Sequence, residues 1–139
     1  MATYQKYDNA IEDVFNKQHD FGADVFKYAL TNTAPTPATD NALADANEIS
    51  AGNGYTAGGE VVSITSATQT GGVLSVVPTG DVVFTASGGS IGPFRYVTFY
   101  NSTPAGGKLV SYYDRGASVT LLDTETFTID VGATLFTAS

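Results

Sequence analysis

Three apolar runs separated by clusters of turn residues dominate the hydrophobic pattern of the chain. The runs cover residues 81–86, 94–101 and 108–114, and each is rich in Val, Phe, Tyr or Thr, which favour a pleated, half-buried surface. Glycine and proline are concentrated between the runs, as is typical of turns, so the pattern predicts three consecutive antiparallel strands. The middle run is apolar on both faces, which predicts a central strand covered from both sides. The core residues expected on this strand are Phe94, Tyr96, Val97 and Phe99.

Shorter runs on either side of this region predict further strands. Residues 25–31 place Phe26, Tyr28 and Leu30 on one face of a first strand. Together the runs give about nine short strands with turn signals every 8–12 residues or so, which is typical of a β-sandwich or jelly roll. We therefore predict a mainly β fold, an antiparallel β-sandwich or jelly-roll-like domain with a short N-terminal helix and a long arm. The other predicted strands cover residues 61–66, 73–77, 82–86, 118–122, 126–131 and 133–137.

Near the N-terminus the apolar spacing changes to that of a helix. Ile11, Val14 and Phe15 recur at helical spacing after Asp8, a residue type that often caps a helix N-terminus. The pattern predicts a helix over residues 9–18 with a narrow apolar stripe. A stripe this narrow must pack on the β-core or on a partner.

Residues 32–59 form a long irregular stretch, which we call the arm. Idle connections of this length are uncommon in compact domains. A short helix is expected within it at residues 41–48, with Asp40 as its cap. We predict that the rest of the arm lies along the sheet or reaches a neighbouring subunit.

Length and composition favour one domain of 139 residues with no cysteine. Within residues 1–139 we expect an N-terminal helical segment at 1–20, the arm at 32–59, and a β-core at 60–139 completed by the 25–31 strand. Without cysteine, disulfides and thiolate metal sites are excluded. The first residues lack the apolar segment of a signal peptide, and no apolar run is long enough to cross a membrane.

The charge balance argues against nucleic-acid binding. The formal net charge is −8, and the chain has only six Lys and Arg residues, so it should repel a phosphate backbone. Charged residues make up 14% of the chain, well below the usual quarter. Much of the surface is then expected to be Thr, Ser, Ala, Gly and Tyr. Such a surface suits either docking onto another protein or a solvated β-protein with few charges.

No catalytic or cofactor motif accompanies this pattern. His19 is the single histidine, and no nucleophile motif supports a catalytic triad around it. We expect His19 at the C-terminal end of the helix, where its side chain would interact favourably with the helix dipole. Acidic side chains are plentiful near residues 20–24 and 40–48, but the calcium-loop pattern is absent. We expect no enzyme activity, no cofactor and no bound metal, while exposed tyrosines leave sugar binding open as an alternative.

Three segments of the chain resemble a family of small virion structural proteins encoded by tailed bacteriophages. The segments are ALTNTAP at residues 29–35, the LAD…EI…AGNGY pattern at residues 43–55, and FTASGGSIGPFRY at residues 84–96. The resemblance runs from about residue 20 to the C-terminus and rests on turns and strands. It implies a non-enzymatic particle component, most simply a capsid decoration, or cement, protein. Such a protein would be made in the host cytoplasm and would bind the major capsid protein on the capsid surface as a homo-oligomer.

The rival interpretation is a tail-fibre or tail-tip β-domain that binds host glycans. In either case the predicted contacts with partners lie on the N-terminal helix and on the arm, because proline stiffens the arm and apolar residues anchor it. The candidate partner-binding residues are Ile11, Val14, Phe15, Pro35, Pro37, Leu43, Ile49 and Tyr55.

Overall fold

Antiparallel strands make up most of the protein in the computed structural model, which describes residues 3–130 and 136–138. The fold is mainly β and sandwich-like, as the alternation predicts. Two short helices, α1 (Asn9–Phe15) and α2 (Leu43–Ala46), interrupt the strands. The strands are β1 (Thr3–Lys6), β2 (Phe26–Thr31), β3 (Glu60–Val62), β4 (Ile64–Thr70), β5 (Val73–Pro78), β6 (Val82–Thr85), β7 (Ile91–Asn101), β8 (Lys108–Leu121), β9 (Thr126–Ile129) and β10 (Phe136–Ala138).

The largest sheet has five strands in the order β1-β8-β7-β2-β3. The central strand is β7, and it pairs antiparallel with β8 on one side and with β2 on the other. Every residue from Tyr96 to Asn101 on β7 is buried, and Phe94 is buried as well. The prediction of a central strand covered on both faces is therefore confirmed.

One face of this sheet packs against two smaller sheets. These are a three-stranded sheet in the order β10-β5-β4 and a two-stranded ribbon of β6 and β9. The main core between them includes Phe26, Phe84 and Phe99, and the rings of Phe26 and Phe99 stack with centroids 5.3 Å apart. Because side chains from all three sheets share this core, apolar burial holds the layers together.

The opposite face of the five-stranded sheet is covered by the arm and by the chain entering α1. Tyr7 and Ala46 pack there with Tyr100 and Leu109 in a second apolar cluster. The hydroxyl groups of Tyr7 and Thr98 lie 3.4 Å apart beneath it. This cover explains why β2 is buried on both faces along most of its length, although the sequence predicts one core face.

The prediction of two separate strands at residues 108–114 and 118–122 is wrong, because both segments belong to the single strand β8. It runs without a break from Lys108 to Leu121. Tyr96 pairs with Asp114 whereas Phe94 pairs with Val119, so β8 bulges outward between these two partners. Gly116 lies in the bulge with φ 94°, and such a bulge is one of the few places where a strand tolerates a left-handed residue. In the sequence this glycine has the appearance of a turn.

The N-terminal prediction is also corrected. Helix α1 ends at Phe15 and not at residue 18, because Lys17 adopts φ 61° and turns the chain away. The Asp8 side chain makes no capping hydrogen bond. Strand β1, which the sequence did not predict, precedes the helix and pairs with the outer edge of β8.

Two further boundaries differ from the prediction. The predicted strand at residues 61–66 is divided between β3 and β4, which belong to different sheets. The predicted strand at 126–131 is observed as β9, which ends at Ile129. Most of the predicted strand at 133–137 lies outside the described residues, because residues 131–135 are not described, and β10 begins at Phe136.

The short helix in the arm forms, but Asp40 does not cap it. Its N-cap is Ala42, and the backbone N–H groups of Asn41 and Ala42 donate to the Asp45 carboxylate instead. These bonds lower the pKa of Asp45. Asp40 accepts a hydrogen bond of 2.7 Å from the Thr36 N–H and closes the preceding turn.

Candidate functional site

The arm is held on the sheet by a hydrogen-bonded latch built around Tyr55. The Tyr55 hydroxyl donates to Glu48 Oε2 over 2.7 Å and accepts from the Leu30 N–H over 3.1 Å. The Gly58 N–H donates to the same carboxylate, at 2.9 Å from Oε2. Burial of the Tyr55 ring raises the pKa of its hydroxyl far above the ordinary value. The latch joins both ends of the Glu48–Gly58 loop to strand β2.

Where the chain leaves the latch and enters β3, its backbone at Gly59 passes very close to the backbone of β2 at Tyr28. Gly59 has φ 79°, and a Cβ at this position would overlap the carbonyl oxygen of Tyr28. The neighbouring Gly58 carbonyl accepts a hydrogen bond of 2.7 Å from the Tyr100 hydroxyl. The Gly58-Gly59 pair therefore lies in a tight turn, closed by a hydrogen bond from the Gly59 N–H to the Thr56 carbonyl, and it brings the arm into direct contact with the sheet.

Most of the predicted partner-binding residues of the arm face the protein itself. Tyr55 is only 2% exposed, and Leu43 and Ile49 are half-buried against the two apolar clusters. Pro35 and Pro37 are half-buried too, and the Pro37 carbonyl accepts a hydrogen bond from the Asp8 N–H. The arm thus lies along the sheet, which is one of the two arrangements expected from its length. Whether these residues also bind a partner stays a prediction.

The predicted stripe of α1 is divided between the core and the solvent. Ile11 and Val14 are half-buried against the main core, but Phe15 is 82% exposed. The residues of the helix that are fully buried are Ala10 and Asp13. The buried face is therefore rotated relative to the predicted stripe, and Phe15 is the most exposed of the large apolar side chains in the described part of the chain.

A buried polar cluster joins the segment after α1 to the end of β7. The Asn101 side-chain amide lies 2.6 Å from Asp24 Oδ2, 3.0 Å from the Gln18 carbonyl oxygen and 3.3 Å from His19 Nδ1. His19 is 6% exposed, and its Nε2 makes no hydrogen bond to another described residue. Burial lowers the pKa of His19, against the opposing effect of Asp13 and Asp24. The prediction of a histidine at a helix C-terminus is wrong, because α1 ends four residues earlier.

One ion pair crosses the exposed side of β7 and β8. Arg95 donates from Nε and Nη2 to the two carboxylate oxygens of Asp114, over 2.8 Å and 3.0 Å. This forked pairing with Arg95 lowers the pKa of Asp114. The Arg95 guanidinium also lies 5.2 Å from the centre of the Tyr96 ring. The pair links β7 to β8 next to the bulge.

Three tyrosines, Tyr4, Tyr28 and Tyr113, pack in or against the main core, and Tyr4 lies beside Ser111. Burial raises the pKa of Tyr4 to about 12 and raises the pKa of Tyr28 and Tyr113 as well. All three phenols therefore stay protonated at neutral pH. They act as buried aromatic packing, with Tyr4 and Tyr113 rings 5.5 Å apart.

The Asp20 and Asp24 carboxylates, which were considered as calcium ligands in the sequence, accept hydrogen bonds from nearby backbone N–H groups. Asp20 Oδ1 accepts from the Gly22 N–H, and Asp24 Oδ2 accepts from the Asp20 N–H. Over residues 3–130 and 136–138, no group of three or more His, Asp or Glu side chains is placed to hold a metal ion.

Two grooves open on the surface of the protein. The first, of about 450 Å³, is lined by Val97, Tyr113, Arg115 and Phe127 between the main sheet and the ribbon. The second, of about 540 Å³, lies between the end of α1 and the β4–β5 hairpin. The second groove is lined by Val14 at the end of α1, and we call it the α1 groove.

The exposed tyrosines that suggested sugar binding are not found in the structure, and glycan binding by this surface stays a prediction. All eight tyrosines fall in the described part of the chain, and each is buried or half-buried. The eight rings instead pack into the two apolar clusters, which a count of tyrosines in the sequence does not reveal.

Comparison with protein-family models, with curated proteins and with solved structures finds no match to this chain. No helix in the described part of the chain is long and apolar enough to span a membrane.

Proposed function

We propose that this protein is a non-enzymatic structural component of a bacteriophage virion, most specifically a capsid decoration protein. It would bind the major capsid protein on the capsid surface, stabilise the shell and act as a homo-oligomer. The sequence resemblance described above supports this proposal over most of the chain. An antiparallel sandwich-like domain with an ordered arm is compatible with it.

The observation that carries the proposal is the character of the surface. Only 14% of the residues are charged, while six large apolar side chains are exposed in the described part of the chain. Apolar side chains on a surface with few charges can be buried by docking without desolvating many ions. The exposed apolar residues are Phe15, Val25, Val61, Val73, Val83 and Leu122.

The polar clusters of the protein fit a structural role better than a catalytic one. The latch at Tyr55 and the network at Asn101 connect distant segments of the backbone. Their acceptors are already bonded to main-chain or amide N–H groups within the chain. The function is therefore proposed to reside in the surface and in the rigidity of the fold.

The copy number of the protein in purified phage particles tests the proposal directly. Quantitative mass spectrometry should find it in numbers comparable to those of the major capsid protein. Purified protein added back to particles stripped of it should restore their resistance to heat or chelator, and an unrelated acidic protein should not. A copy number closer to that of tail components would instead support the tail-recognition alternative, and absence from particles would refute both.

A further inference from the structure

Strand β4 leaves one long edge of the three-stranded sheet open. The sheet has the order β10-β5-β4, so β4 pairs with β5 on one side and with no described strand on the other. After an irregular pairing between Ile64 and Ser66, residues 66–70 pair with β5 in an unbroken register. No backbone hydrogen bond joins residues 64–70 to a described segment other than β5. The free side of such a strand offers a row of N–H and C=O groups to another strand.

The remaining free edges in the described part of the chain are shorter. Strands β1 and β3 end the five-stranded sheet with four and three residues, and they carry Lys6 and Glu60. Strands β6 and β9 of the ribbon have four residues each, and β10 has three. Proteins commonly prevent unwanted strand pairing by keeping edge strands short or by placing charges or proline on them. Strand β4 has seven residues without charge or proline, so this protection is missing beyond its bulge.

The surroundings of this edge also carry no charge. Residues 61–80 contain β4 and β5, and they form the longest stretch of the chain without Asp, Glu, Lys, Arg or His. Because the net charge of the chain is −8, two copies repel each other over most of their surfaces. The β4–β5 hairpin can approach the same hairpin of a second copy without bringing like charges together. It also offers no charged group that would attract a charged partner.

The side chains of β4 match those of a second β4 strand that runs in the opposite direction. Thr68 lies at the centre of the regular segment 66–70. When a twofold axis passes beside Thr68, the two Thr68 residues face each other, and Ser66 of each copy faces Thr70 of the other. Pairs of Thr with Thr or Ser are favourable across antiparallel strands, because their hydroxyl groups can hydrogen-bond. The strand is therefore complementary to itself, as the contact of a symmetric dimer requires.

We propose that β4 forms the interface of a symmetric dimer, in which it pairs antiparallel with β4 of a second copy. The two three-stranded sheets then join into one six-stranded sheet. Main-chain hydrogen bonds between the two strands supply the attraction, as in other complexes formed by addition of a strand to a sheet edge. The inference rests on the proposed function in one respect, since it names the surface through which the homo-oligomer forms.

Sedimentation velocity of the full chain over a range of concentrations tests the dimer. The wild-type protein should associate reversibly, and Thr68→Lys should raise the dissociation constant at least roughly tenfold, because it places two lysines opposite each other on the edge. Thr126→Lys is the matched control, because it puts the same charge on an exposed threonine of the short strand β9 and should leave the association unchanged. Circular dichroism should show that both variants keep the wild-type fold.

A disulfide tests the register of the pairing. The chain has no cysteine, so Thr68→Cys introduces one thiol per copy. Directly opposed residues on antiparallel strands lie within the Cα separation that a disulfide requires. Oxidised glutathione, which takes up the two hydrogens of the thiols, should therefore convert this variant into a covalent dimer that denaturing electrophoresis detects. Thr126→Cys is the control, and it should form only a mixed disulfide with glutathione and stay monomeric.

A wild-type chain that stays monomeric at millimolar concentration would overturn the proposal. A Thr68→Lys variant that associates as the wild type does would overturn it too, as would a Thr68→Cys variant that cross-links no faster than Thr126→Cys. If the dimer forms but the protein is absent from phage particles, only the virion proposal fails. If the protein is abundant in particles but strictly monomeric in solution, only the dimer proposal fails.

Discussion

The Tyr55 hydroxyl donates a hydrogen bond of 2.7 Å to Glu48 and binds the arm to the sheet. The same oxygen accepts from the Leu30 N–H, 25 positions earlier in the chain. Because Tyr55 is buried, the loss of its hydroxyl would leave polar groups without a partner in an environment with little access to water.

Tyr55→Phe should therefore destabilise the fold by about 1–3 kcal/mol, the cost of leaving a buried donor or acceptor unpaired. Urea unfolding followed by circular dichroism measures the change. Tyr112→Phe is the matched control, since the Tyr112 hydroxyl forms no hydrogen bond with another described residue, and it should change the stability by less than about 0.5 kcal/mol. Equal effects of the two substitutions would contradict the latch.

Phe99→Ala should be far more damaging than Phe15→Ala. The Phe99 ring is fully buried on β7 between Phe26 and Tyr28, with centroids 5.3 and 5.5 Å away. Truncating such a ring typically costs about 3–5 kcal/mol, because transfer and cavity effects add. Phe15→Ala should cost less than about 0.5 kcal/mol when unfolding is measured at low protein concentration. A Phe99→Ala variant that melts like the wild type would refute the central position of β7.

Gly59→Ala should prevent or strongly weaken the docking of the arm. The added Cβ meets the Tyr28 carbonyl oxygen, and the backbone also has a positive φ. Gly72→Ala is the control, because Gly72 has φ 83° but open space around its Cβ. Gly72→Ala therefore measures the backbone strain alone, about 1–3 kcal/mol. The loss of stability caused by Gly59→Ala, measured by thermal unfolding, should be clearly larger than the loss caused by Gly72→Ala. Similar losses for both variants would mean that the backbone at Gly59 can move aside.

The stability of the protein should fall when the pH drops through the range in which a free histidine becomes protonated. Burial lowers the pKa of His19 below its ordinary value of 6.5 in the folded chain, so the unfolded chain binds the proton more readily. The neutral form therefore contributes stability above pH 6.5, and this contribution is lost as the pH falls towards the folded-state pKa. The charged groups that act on His19 are Asp13 and Asp24, which oppose the shift, and Lys108, which adds to it.

Unfolding free energies measured at pH 7.5 and pH 5.5 test this dependence. The decrease can reach at most about 1.4 kcal/mol per pH unit for one proton, and His19→Gln should reduce it. All measurements are made above pH 5, so that protonation of Asp45 and Asp114 does not contribute to the change in stability. The pKa values of these two carboxyl groups are lowered, and they become protonated only under more acidic conditions. A wild-type protein as pH-dependent as His19→Gln would show that His19 is hydrated in the folded state.

Strand positions could be predicted from the sequence because the period of two is a local signal. Residues 94–101 are apolar on both faces, and this identifies the buried centre of a sheet without knowledge of its neighbours. The same local signals failed at Gly116 and at Lys17. In the first case a glycine that suggests a turn sits inside a continuous strand, and in the second a positive φ ends the helix early.

The candidate site was less accessible to sequence reasoning. The helical spacing correctly drew attention to α1, but Ile11 and Val14 face the core while Phe15 is exposed. The α1 groove also requires Ala67 and Leu74 from a distant hairpin, and no local pattern indicates that this hairpin lies beside the helix. The burial of His19 was missed for the same reason, since its partner Asn101 lies 82 positions away.

The sequence by itself determined that this protein is mainly β, with antiparallel strands, a central apolar strand and a surface poor in charge. Those properties follow from side-chain type and spacing, which act over a few residues. Only the tertiary structure decided that the arm lies on the sheet, that β1 joins its edge and that Phe15 is left exposed. Each of these depends on contacts between distant segments, such as Tyr55 with Leu30 and Tyr7 with Thr98. Which of these contacts form depends on how much apolar surface the whole chain buries when it folds.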